Sequence, residues 1–298
     1  MTLPPTQTRR PRLLIVGCGD VGMRVLRLLQ RRWHVCALTS SPARLDALRA
    51  AGATPLLGNL DDPATLGRLG GLADAVLHLA PPPAQGRHDT RTRSLLQALA
   101  RGGRVKSLVY ASTSGVYGDA GGARFDETRP VRAATDRALR RVDAEEQVRA
   151  FGRRAGVRVC VLRIPGIYAA DREGGHPRDR LLRGAPVLAA ADDVYTNHIH
   201  ADDLARACVA ALVRGAGQRV YHVNDDTDLL MGDYFDLVAA LCGLPLPPRV
   251  SRAQAGELLS PMTLSFMSES RRLINRRLKT ELRLVLRYPT VREGLAGG

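Results

Sequence analysis

The fold of this chain is decided by the stretch Leu13-Leu14-Ile15-Val16-Gly17-Cys18-Gly19-Asp20-Val21-Gly22-Met23. Residues 13–16 form a short apolar run, which is typical of a strand buried on both faces. Val21, Val25 and Leu29 then recur at helical spacing. A Gly-x-Gly-x-x-Gly fingerprint between a strand and a helix predicts a turn that binds the pyrophosphate of a dinucleotide. The alternative is a tight packing turn without a ligand.

Each residue of this turn has a predicted part in the site. Gly17 permits the sharp turn, Gly19 lets backbone N–H groups approach the phosphates, and Gly22 lets the helix pack closely on the strand. Asp20 and Val21 open the helix, whose unpaired N–H groups and positive dipole end favour an anion. All five residues are therefore predicted to bind the cofactor.

Downstream of the turn, apolar strands alternate with helical segments. Strands are predicted over residues 33–38, 53–58, 75–80 and 105–112, with helices over residues 43–50 and 90–99. Short connections in such an alternation predict right-handed crossovers and a doubly wound parallel sheet, a Rossmann-type α/β fold. Ligands bind these sheets at the carboxyl ends of the strands. The cofactor-binding residues predicted at these ends are Ser40, Asn59, Leu60, Leu79, Ala80 and Pro81.

The end of the second strand indicates which dinucleotide binds. An Asp or Glu about 20 residues after the glycines would hold the ribose 2′-hydroxyl of NAD. Here the segment Thr39–Arg44 carries no acid but has small hydroxyls, including Ser40, and the guanidinium of Arg44. These groups suit a 2′-phosphate, so the sequence favours NADP(H) over NAD(H). The alternative for Arg44 is a solvated residue in the first turn of the next helix.

Two other polar residues of this region are given structural roles. His78 lies inside the apolar run 75–80 and is interpreted as a core residue rather than a catalytic one. Asp62 precedes Pro63 and is predicted to cap a short helix that this proline opens.

Composition limits the class of protein. The formal net charge is +15, and the only lysines among the basic residues are Lys106 and Lys279. The arginines are spread along the chain and aromatic residues make up 4%, which leaves few stacking platforms for a nucleic acid. The five cysteines are widely spaced, which indicates free thiols in a reducing compartment. We therefore expect a cytoplasmic protein with no nucleic-acid, membrane or metal partner.

Several motifs farther along the chain occur in a recognisable order. They are Ala111-Ser112-Thr113-Ser114-Gly115-Val116-Tyr117-Gly118-Asp119, the segment 163–168, the segment 198–205, the segment 220–223 and the segment 286–295. Together with the glycine turn they resemble the extended short-chain dehydrogenase/reductases, the NAD(P)-dependent epimerase/dehydratase family. The resemblance spans nearly the whole chain. It implies that Pro165 contacts the cofactor and that a C-terminal lobe holds the substrate.

The resemblance also identifies catalytic positions, and here the chain departs from the family. Thr113 takes the place of the hydroxyl that hydrogen-bonds the substrate oxygen. The catalytic Tyr and Lys, four residues apart on the helix predicted over residues 134–154, are replaced by Arg137 and Arg141. Because arginine keeps its proton, neither residue can act as the base, although both can hold an anion or the cofactor ribose. Tyr117 and Tyr168 are alternative phenols, but the family uses both for packing.

The remaining segments complete the expected domain plan. A disordered tail is predicted over residues 1–10, a dinucleotide-binding domain over 11–164 plus 197–223, and a small substrate lobe over 165–196 plus 224–298. The segment 169–178 is predicted to be a loop that closes over substrate, and residues 268–278 a basic helix capped by Ser268. Lobe arginines that could meet a phosphate or carboxylate, or could equally be solvated, are Arg172, Arg178, Arg180, Arg249 and Arg252.

Three further expectations concern histidines and assembly. His198 and His200 alternate on a predicted strand without a third ligand, so a metal site is not expected, and Asp202 is predicted to cap the following helix. In the resembled family the helices flanking the sheet commonly build a dimer, so a homodimer is expected, although the arginines on these helices repel one another. A monomer mass in light scattering would contradict it.

Two functions remain open at this level. The first is an NADP-binding atypical short-chain dehydrogenase/reductase, an oxidoreductase or epimerase that acts on an unidentified small molecule, for which anionic character is one option. In it Thr113 polarises the substrate oxygen and the base is unassigned. The alternative is a non-catalytic sensor that changes partners with its NADP(H) occupancy.

Overall fold

The computed structural model describes residues 10–29 and 32–296, so residues 1–9 of the predicted tail lie outside the described part. The strands in this part are β1 (Arg12–Val16), β2 (His34–Thr39), β3 (Thr54–Leu57), β4 (Ala75–His78), β5 (Ser107–Thr113), β6 (Arg124–Phe125), β7 (Arg158–Ile164), β8 (Gly166–Tyr168), β9 (Val187–Leu188), β10 (Tyr195–Thr196), β11 (His198–His200), β12 (Arg219–His222), β13 (Leu229–Leu230), β14 (Arg249–Val250) and β15 (Arg272–Leu273).

The helices in the same part are α1 (Asp20–Leu29), α2 (Leu45–Ala50), α3 (Thr90–Ala100), α4 (Asp136–Ala155), α5 (Arg178–Leu182), α6 (Ala201–Arg214), α7 (Met231–Cys242), α8 (Arg252–Leu258), α9 (Pro261–Met267), α10 (Arg276–Thr280) and α11 (Val291–Leu295). Short 3-10 helices also occur, one of them at Pro63–Leu69, where the Asp62 carboxylate accepts from the Ala64 N–H as an N-cap. No helix among the described residues is long and apolar enough to cross a bilayer.

Seven strands form one parallel sheet in the order β12-β7-β5-β4-β1-β2-β3. The predicted doubly wound Rossmann-type sheet is therefore confirmed. The strand β1 lies inside the sheet because its apolar side chains must be covered on both faces. Leu13, Leu14, Ile15 and Val16 are accordingly at most 1% exposed.

Successive side chains along each strand point to opposite faces of the sheet, and this divides the core into two layers. One layer joins residues such as Leu13 and Leu77 to α1 and α6, and the other joins Leu14 and Val76 to α3 and α4. Both layers are apolar, so the sheet is closed to water on both faces. The carboxyl edges of the strands are left as the place where a ligand can reach the backbone.

A smaller body of structure lies beyond the sheet. Residues of α7, β9, α8, α9 and α11 share a separate apolar cluster that includes Phe235, Val238 and Met267. The residues of this cluster lie in the segments that the sequence-based plan assigns to the C-terminal lobe. Leu278, Leu282 and Leu284 pack instead in the α1–α6 layer of the sheet, although the sequence-based plan gave them to the lobe.

The predicted helix over residues 268–278 is wrong in its first half. The Ser270 carbonyl accepts from the N–H groups of Ala120 and Gly122, and β15 then pairs in parallel with β6. These tertiary hydrogen bonds hold the segment extended, and α10 begins only at Arg276. Hydrogen bonds to a distant segment thus override the local helical pattern.

Candidate active site

The glycine turn, residues 17–22, has the geometry that its sequence predicts. Gly17 has a φ of +82°, and a Cβ there would lie 2.5 Å from the Ala80 backbone nitrogen, so only glycine fits. A Cβ on Gly22 would lie 3.1 Å from the Cys18 sulfur. A Cβ on Gly19, in contrast, would meet no atom of the described chain within 4 Å. The space beside Gly19 is therefore open to a ligand.

The predicted cofactor-contacting residues after β2, β3 and β4 meet at the same edge as this turn. Ser40 follows β2, Asn59 and Leu60 follow β3, and Leu79, Ala80 and Pro81 follow β4. Because β3, β2, β1, β4 and β5 are successive parallel neighbours, their carboxyl ends are adjacent. The sheet therefore brings together residues that are far apart in the sequence.

Arg44 lies close to the glycine turn. Burial raises the pKa of the Cys18 thiol to about 11, and the nearby positive charge of Arg44 opposes that rise. Ser40 is exposed and Arg44 is half-buried. Within the described residues Arg44 forms no ion pair, so its charge is available to a ligand at this edge.

Asp20, predicted to contact the cofactor, also forms ion pairs within the protein. Its carboxylate lies 3.1 Å from Arg24 Nε and 3.3 Å from Arg172 Nε. Arg24 is 6% exposed and also contacts Asp171 and Asp202, each at 2.5 Å. We call these five residues the Arg24 clasp; it ties the glycine turn to the loop 169–178 of the lobe.

The Arg24 clasp corrects the prediction for Asp202. This residue does not cap α6, because the N-cap is His200, whose Nδ1 accepts from the Asp202 N–H at 3.2 Å. The Asp202 carboxylate turns to Arg24 instead. Burial alone would lower the pKa of Arg24, but Asp171 and Asp202 outweigh it and hold that pKa above its ordinary value.

Two cavities adjoin at the end of β5. An inner cavity of about 230 Å³ is lined by residues that include Val21, Leu79, Ser112, Thr113, Arg141 and Pro165. A larger cleft of about 580 Å³ lies between the sheet and the lobe, and its lining also includes Thr113, Pro165 and Ile167. Thr113 therefore stands where the two spaces meet, and its Oγ1 accepts from the Gly115 N–H at 3.2 Å.

Arg137 and Arg141, the two α4 arginines at the expected catalytic positions, occupy different spaces. Arg141 lines the inner cavity, where its Nη1 donates to the Ala111 carbonyl at 2.8 Å and to the Tyr110 hydroxyl at 3.1 Å. Arg137 lines the cleft, with its guanidinium carbon 4.4 Å from the centre of the Phe266 ring. Burial lowers the pKa of Arg137, and Glu269 only partly opposes this.

A chain of buried polar side chains runs behind the inner cavity and was not predicted from the sequence. Ser112 Oγ donates to Glu145 Oε1 at 2.6 Å, and Glu145 Oε2 pairs with Arg163 Nη2 at 2.7 Å. Arg163 Nη1 then donates to the Tyr117 hydroxyl at 2.7 Å, and that hydroxyl lies 2.6 Å from His222 Nε2. All five residues are buried. The chain fixes the wall of the inner cavity from behind.

These contacts also settle the position of the two alternative phenols. Tyr117 is fully buried in that chain, and burial raises its pKa to about 12. Tyr168 does line the cleft, but its hydroxyl donates to the Thr290 carbonyl at 3.3 Å, and burial raises its pKa. Both side chains are placed for packing, and a raised pKa makes neither a ready phenolate.

The histidines singled out from the sequence are buried. His78 is a core residue, as predicted, with Nε2 2.9 Å from the Thr92 hydroxyl. His198 stacks on Tyr234 with ring centres 4.0 Å apart, and burial lowers its pKa to about 3. His200 caps α6. In the described part of the chain, no three His, Cys, Asp or Glu side chains group as metal ligands would.

The sequence matches the NAD dependent epimerase/dehydratase family over residues 13–224. This match takes in the glycine turn, Thr113, Arg137 and Arg141. The chain belongs to this family. The extended short-chain dehydrogenase/reductase identity expected from the sequence motifs is thereby confirmed, and with it a nicotinamide-dinucleotide-dependent function of that general kind.

Individual family members show how far the likeness extends. A dTDP-glucose 4,6-dehydratase of Mycolicibacterium smegmatis is 30% identical over 248 residues, 73% of each chain. Protein YeeZ of Escherichia coli K12 is 25% identical over 245 residues, 79% of this chain and 85% of its own. A solved structure of a functionally unknown conserved protein from Silicibacter pomeroyi DSS has a TM-score of 0.80 and 32% identity, and the match covers 96% and 97% of the two chains.

More distant structures share the fold. A UDP-glucose 4-epimerase of Thermotoga maritima, solved with UDP-glucose, has a TM-score of 0.78 at 19% identity over 96% of each chain. At that identity the likeness extends to the sheet and the lobe as a fold. The chemistry of the present protein depends on its own side chains and not on the shared fold.

Proposed function

We propose that this family member is an NADP(H)-dependent oxidoreductase or epimerase that acts on a small molecule held in the cleft. The observation that carries the proposal is the meeting of the inner cavity and the cleft at Thr113. A nicotinamide bound in the inner cavity would supply hydride chemistry. A substrate in the cleft would then face it across the boundary that Thr113 shares with Pro165 and Ile167.

The residues present fit such a cofactor. The open space at Gly19 and the helix start at Asp20 and Val21 suit a pyrophosphate. Arg44, without an ion pair in the described residues and close to the same turn, suits a 2′-phosphate. Arg141 lies where it can hold the nicotinamide ribose.

In the cleft, Thr113 hydrogen-bonds the reacting oxygen of the substrate and Arg137 holds that oxygen or a neighbouring anion by its charge. A guanidinium stabilises negative charge on oxygen without giving up a proton. Electrostatic stabilisation would thus hold the alkoxide that forms when hydride is transferred, and water in the open cleft would donate or accept the proton that a tyrosine otherwise transfers. The likeness to a dTDP-glucose dehydratase supports a small-molecule substrate of this general kind.

A calorimetric titration with NADPH, NADP⁺, NADH and NAD⁺ tests the proposal. We expect NADPH to bind more tightly than NADH, and Arg44→Ala to weaken NADPH binding by about 10- to 100-fold, because a charged hydrogen bond contributes about 1.5–3 kcal/mol. NADH binding should change little. Arg49→Ala, which removes the same charge from a residue paired with Asp46, is the matched control and should bind like wild type.

NADH binding equal to or tighter than that of NADPH would contradict the NADP preference. Failure of all four nucleotides to bind would contradict the whole proposal. The alternative, a non-catalytic NADP(H) sensor, is favoured by the replacement of the usual acid–base pair with arginines. It predicts tight NADPH binding with no oxidation of NADPH on any member of a panel of carbonyl compounds.

A further inference from the structure

On the lobe side of the cleft, Arg180 has no counter-ion among the described residues. The structure sorts the five lobe arginines that the sequence left undecided. Arg172 belongs to the Arg24 clasp, and Arg249 pairs with Asp236 at 2.5 Å. Arg178 is exposed and does not line the cleft. Arg252 donates to the Asp192 and Met267 carbonyls. Arg180 lines the cleft and, among the described residues, has no carboxylate partner.

Arg180 is held firmly in place by uncharged groups. Its guanidinium carbon lies 4.8 Å from the centre of the Phe235 ring, and its Nη2 donates to the Pro186 carbonyl at 2.8 Å. Its Nε is buried without a hydrogen-bond partner in the described part of the chain. The aromatic ring and the carbonyl therefore fix the plane of the guanidinium, while its charge is left uncompensated.

The surroundings increase the need for an anion. Burial lowers the pKa of Arg180, and the positive charge of Arg183, which also lines the cleft, lowers it further. Glu269, an acid of the same cleft, is paired with Arg271 at 2.6 Å. A half-buried cation beside a like charge costs free energy that an incoming oxyanion would recover.

We propose that Arg180 anchors the substrate of the cleft by binding a carboxylate or phosphate group at the end of the molecule away from Thr113. The inference rests on the proposed function, which puts the reacting oxygen at Thr113. It makes the substrate an anionic small molecule with two oxygen groups, one reactive and one held as a handle. Phe235 and the Pro186 carbonyl position the handle, and Arg183 adds charge at the cleft mouth.

Inorganic anions provide the probe for this anchor. The full-length protein, saturated with NADPH so that the glycine turn is blocked, is titrated with sodium phosphate and separately with sodium acetate at constant ionic strength. The midpoint of thermal unfolding reports binding, because a ligand of the folded state raises it. Arg180→Met is compared with Arg178→Met, which removes the same charge from the same helix outside the cleft.

We expect at least one of the two anions to stabilise wild type and Arg178→Met equally, and Arg180→Met to bind it at least tenfold more weakly. A stronger response to phosphate assigns a phosphate handle, and a stronger response to acetate assigns a carboxylate. Without anion, Arg180→Met should unfold at the same temperature as wild type or higher, because an uncompensated cation is removed. Equal anion responses of the two variants would overturn the proposal.

Failure of the anchor and failure of the proposed function give different results. If NADPH does not bind, the titration is run without it, since wild type and both variants share the same glycine turn. A loss specific to Arg180→Met would then still support the anchor. If Arg180→Met does not fold, Arg180→Lys, which keeps the charge but loses the planar stacking on Phe235, replaces it and should bind the anion more weakly than Arg178→Lys.

Discussion

At the scale of single residues, Gly17 and Gly19 show how one fingerprint contains two different constraints. Gly17 is required by the protein itself, because its φ of +82° and the Ala80 backbone leave no room for a Cβ. Gly19 has space around it within the described chain, so packing does not require a glycine there, and we predict that a bound dinucleotide does. The distinction separates stability from binding within three residues.

Substitution of the two glycines should separate the two effects. Gly17→Ala is expected to lower the free energy of unfolding by roughly 2–4 kcal/mol, since it adds a backbone clash to a left-handed conformation. Gly19→Ala should unfold like wild type but bind NADPH at least tenfold more weakly, because its methyl group enters the ligand space. Urea unfolding and calorimetric titration measure both. Normal NADPH affinity in Gly19→Ala would contradict this assignment.

The sequence predicted residues at this scale where the constraint is local. The glycines, His78 and the Asp62 cap could be identified from the pattern of residues a few positions away, although the backbone that excludes a Cβ at Gly17 is that of the distant Ala80. The partners of Arg24, in contrast, lie up to 178 positions along the chain. The buried polar side chains that link Ser112 to His222 are also far apart in the sequence. Neither network could therefore be found without the fold.

At the scale of elements, the strands of the sheet were predictable and the edges of the lobe were not. Largely apolar runs identify β1 and β4, because a strand covered on both faces is built mainly from apolar side chains. The segment 268–278 has a basic helical pattern, yet half of it is extended because Ser270 bonds to Ala120 and Gly122. A two-residue strand such as β15 has no signal of its own in the sequence.

The Arg24 clasp acts between elements, and its loss should loosen one of them. Arg24→Met leaves Asp20, Asp171 and Asp202 facing one another, and we expect a loss of about 2–3 kcal/mol, less than for a fully buried pair because the carboxylates are partly exposed. Amide hydrogen exchange over residues 169–178 should become faster than in wild type.

Arg27→Met, on the same helix but exposed, is the control for this experiment and should leave both stability and exchange unchanged. Unchanged exchange over residues 169–178 in Arg24→Met would show that the loop is held by its other contacts. In that case the Arg24 clasp would not be what holds the loop 169–178 to the glycine turn.

At the scale of the whole molecule, buried titratable groups set the response to pH. Burial lowers the pKa of His78, His198 and His222 to about 3, whereas an unfolded histidine titrates near 6.5. Between these values the unfolded chain binds more protons, so stability falls as the pH falls below about 6.5. Asp225 acts in the opposite direction, since burial raises its pKa to about 7 and its folded form takes up a proton first.

Asp225→Asn should therefore make the protein more sensitive to acid. Loss of this one opposing carboxyl should make stability fall more steeply between pH 6 and 4 than in wild type, by up to about 1.4 kcal/mol per pH unit. Urea unfolding across this range measures the slopes. Asp46→Asn, at an exposed residue paired with Arg49, is the control and should follow wild type. A shallower slope in Asp225→Asn would contradict the sign of this prediction.

The return of residues 278–284 to the sheet has a consequence for synthesis. Leu278, Leu282 and Leu284 complete the apolar layer that also contains Leu13 and Ile15 from the first strand. A chain emerging from the ribosome can form the strands of its N-terminal half early, as domains usually do. The layer over those strands stays incomplete until residue 284 has been translated and has left the ribosome. During that interval the growing polypeptide exposes the apolar surface on which folding chaperones act.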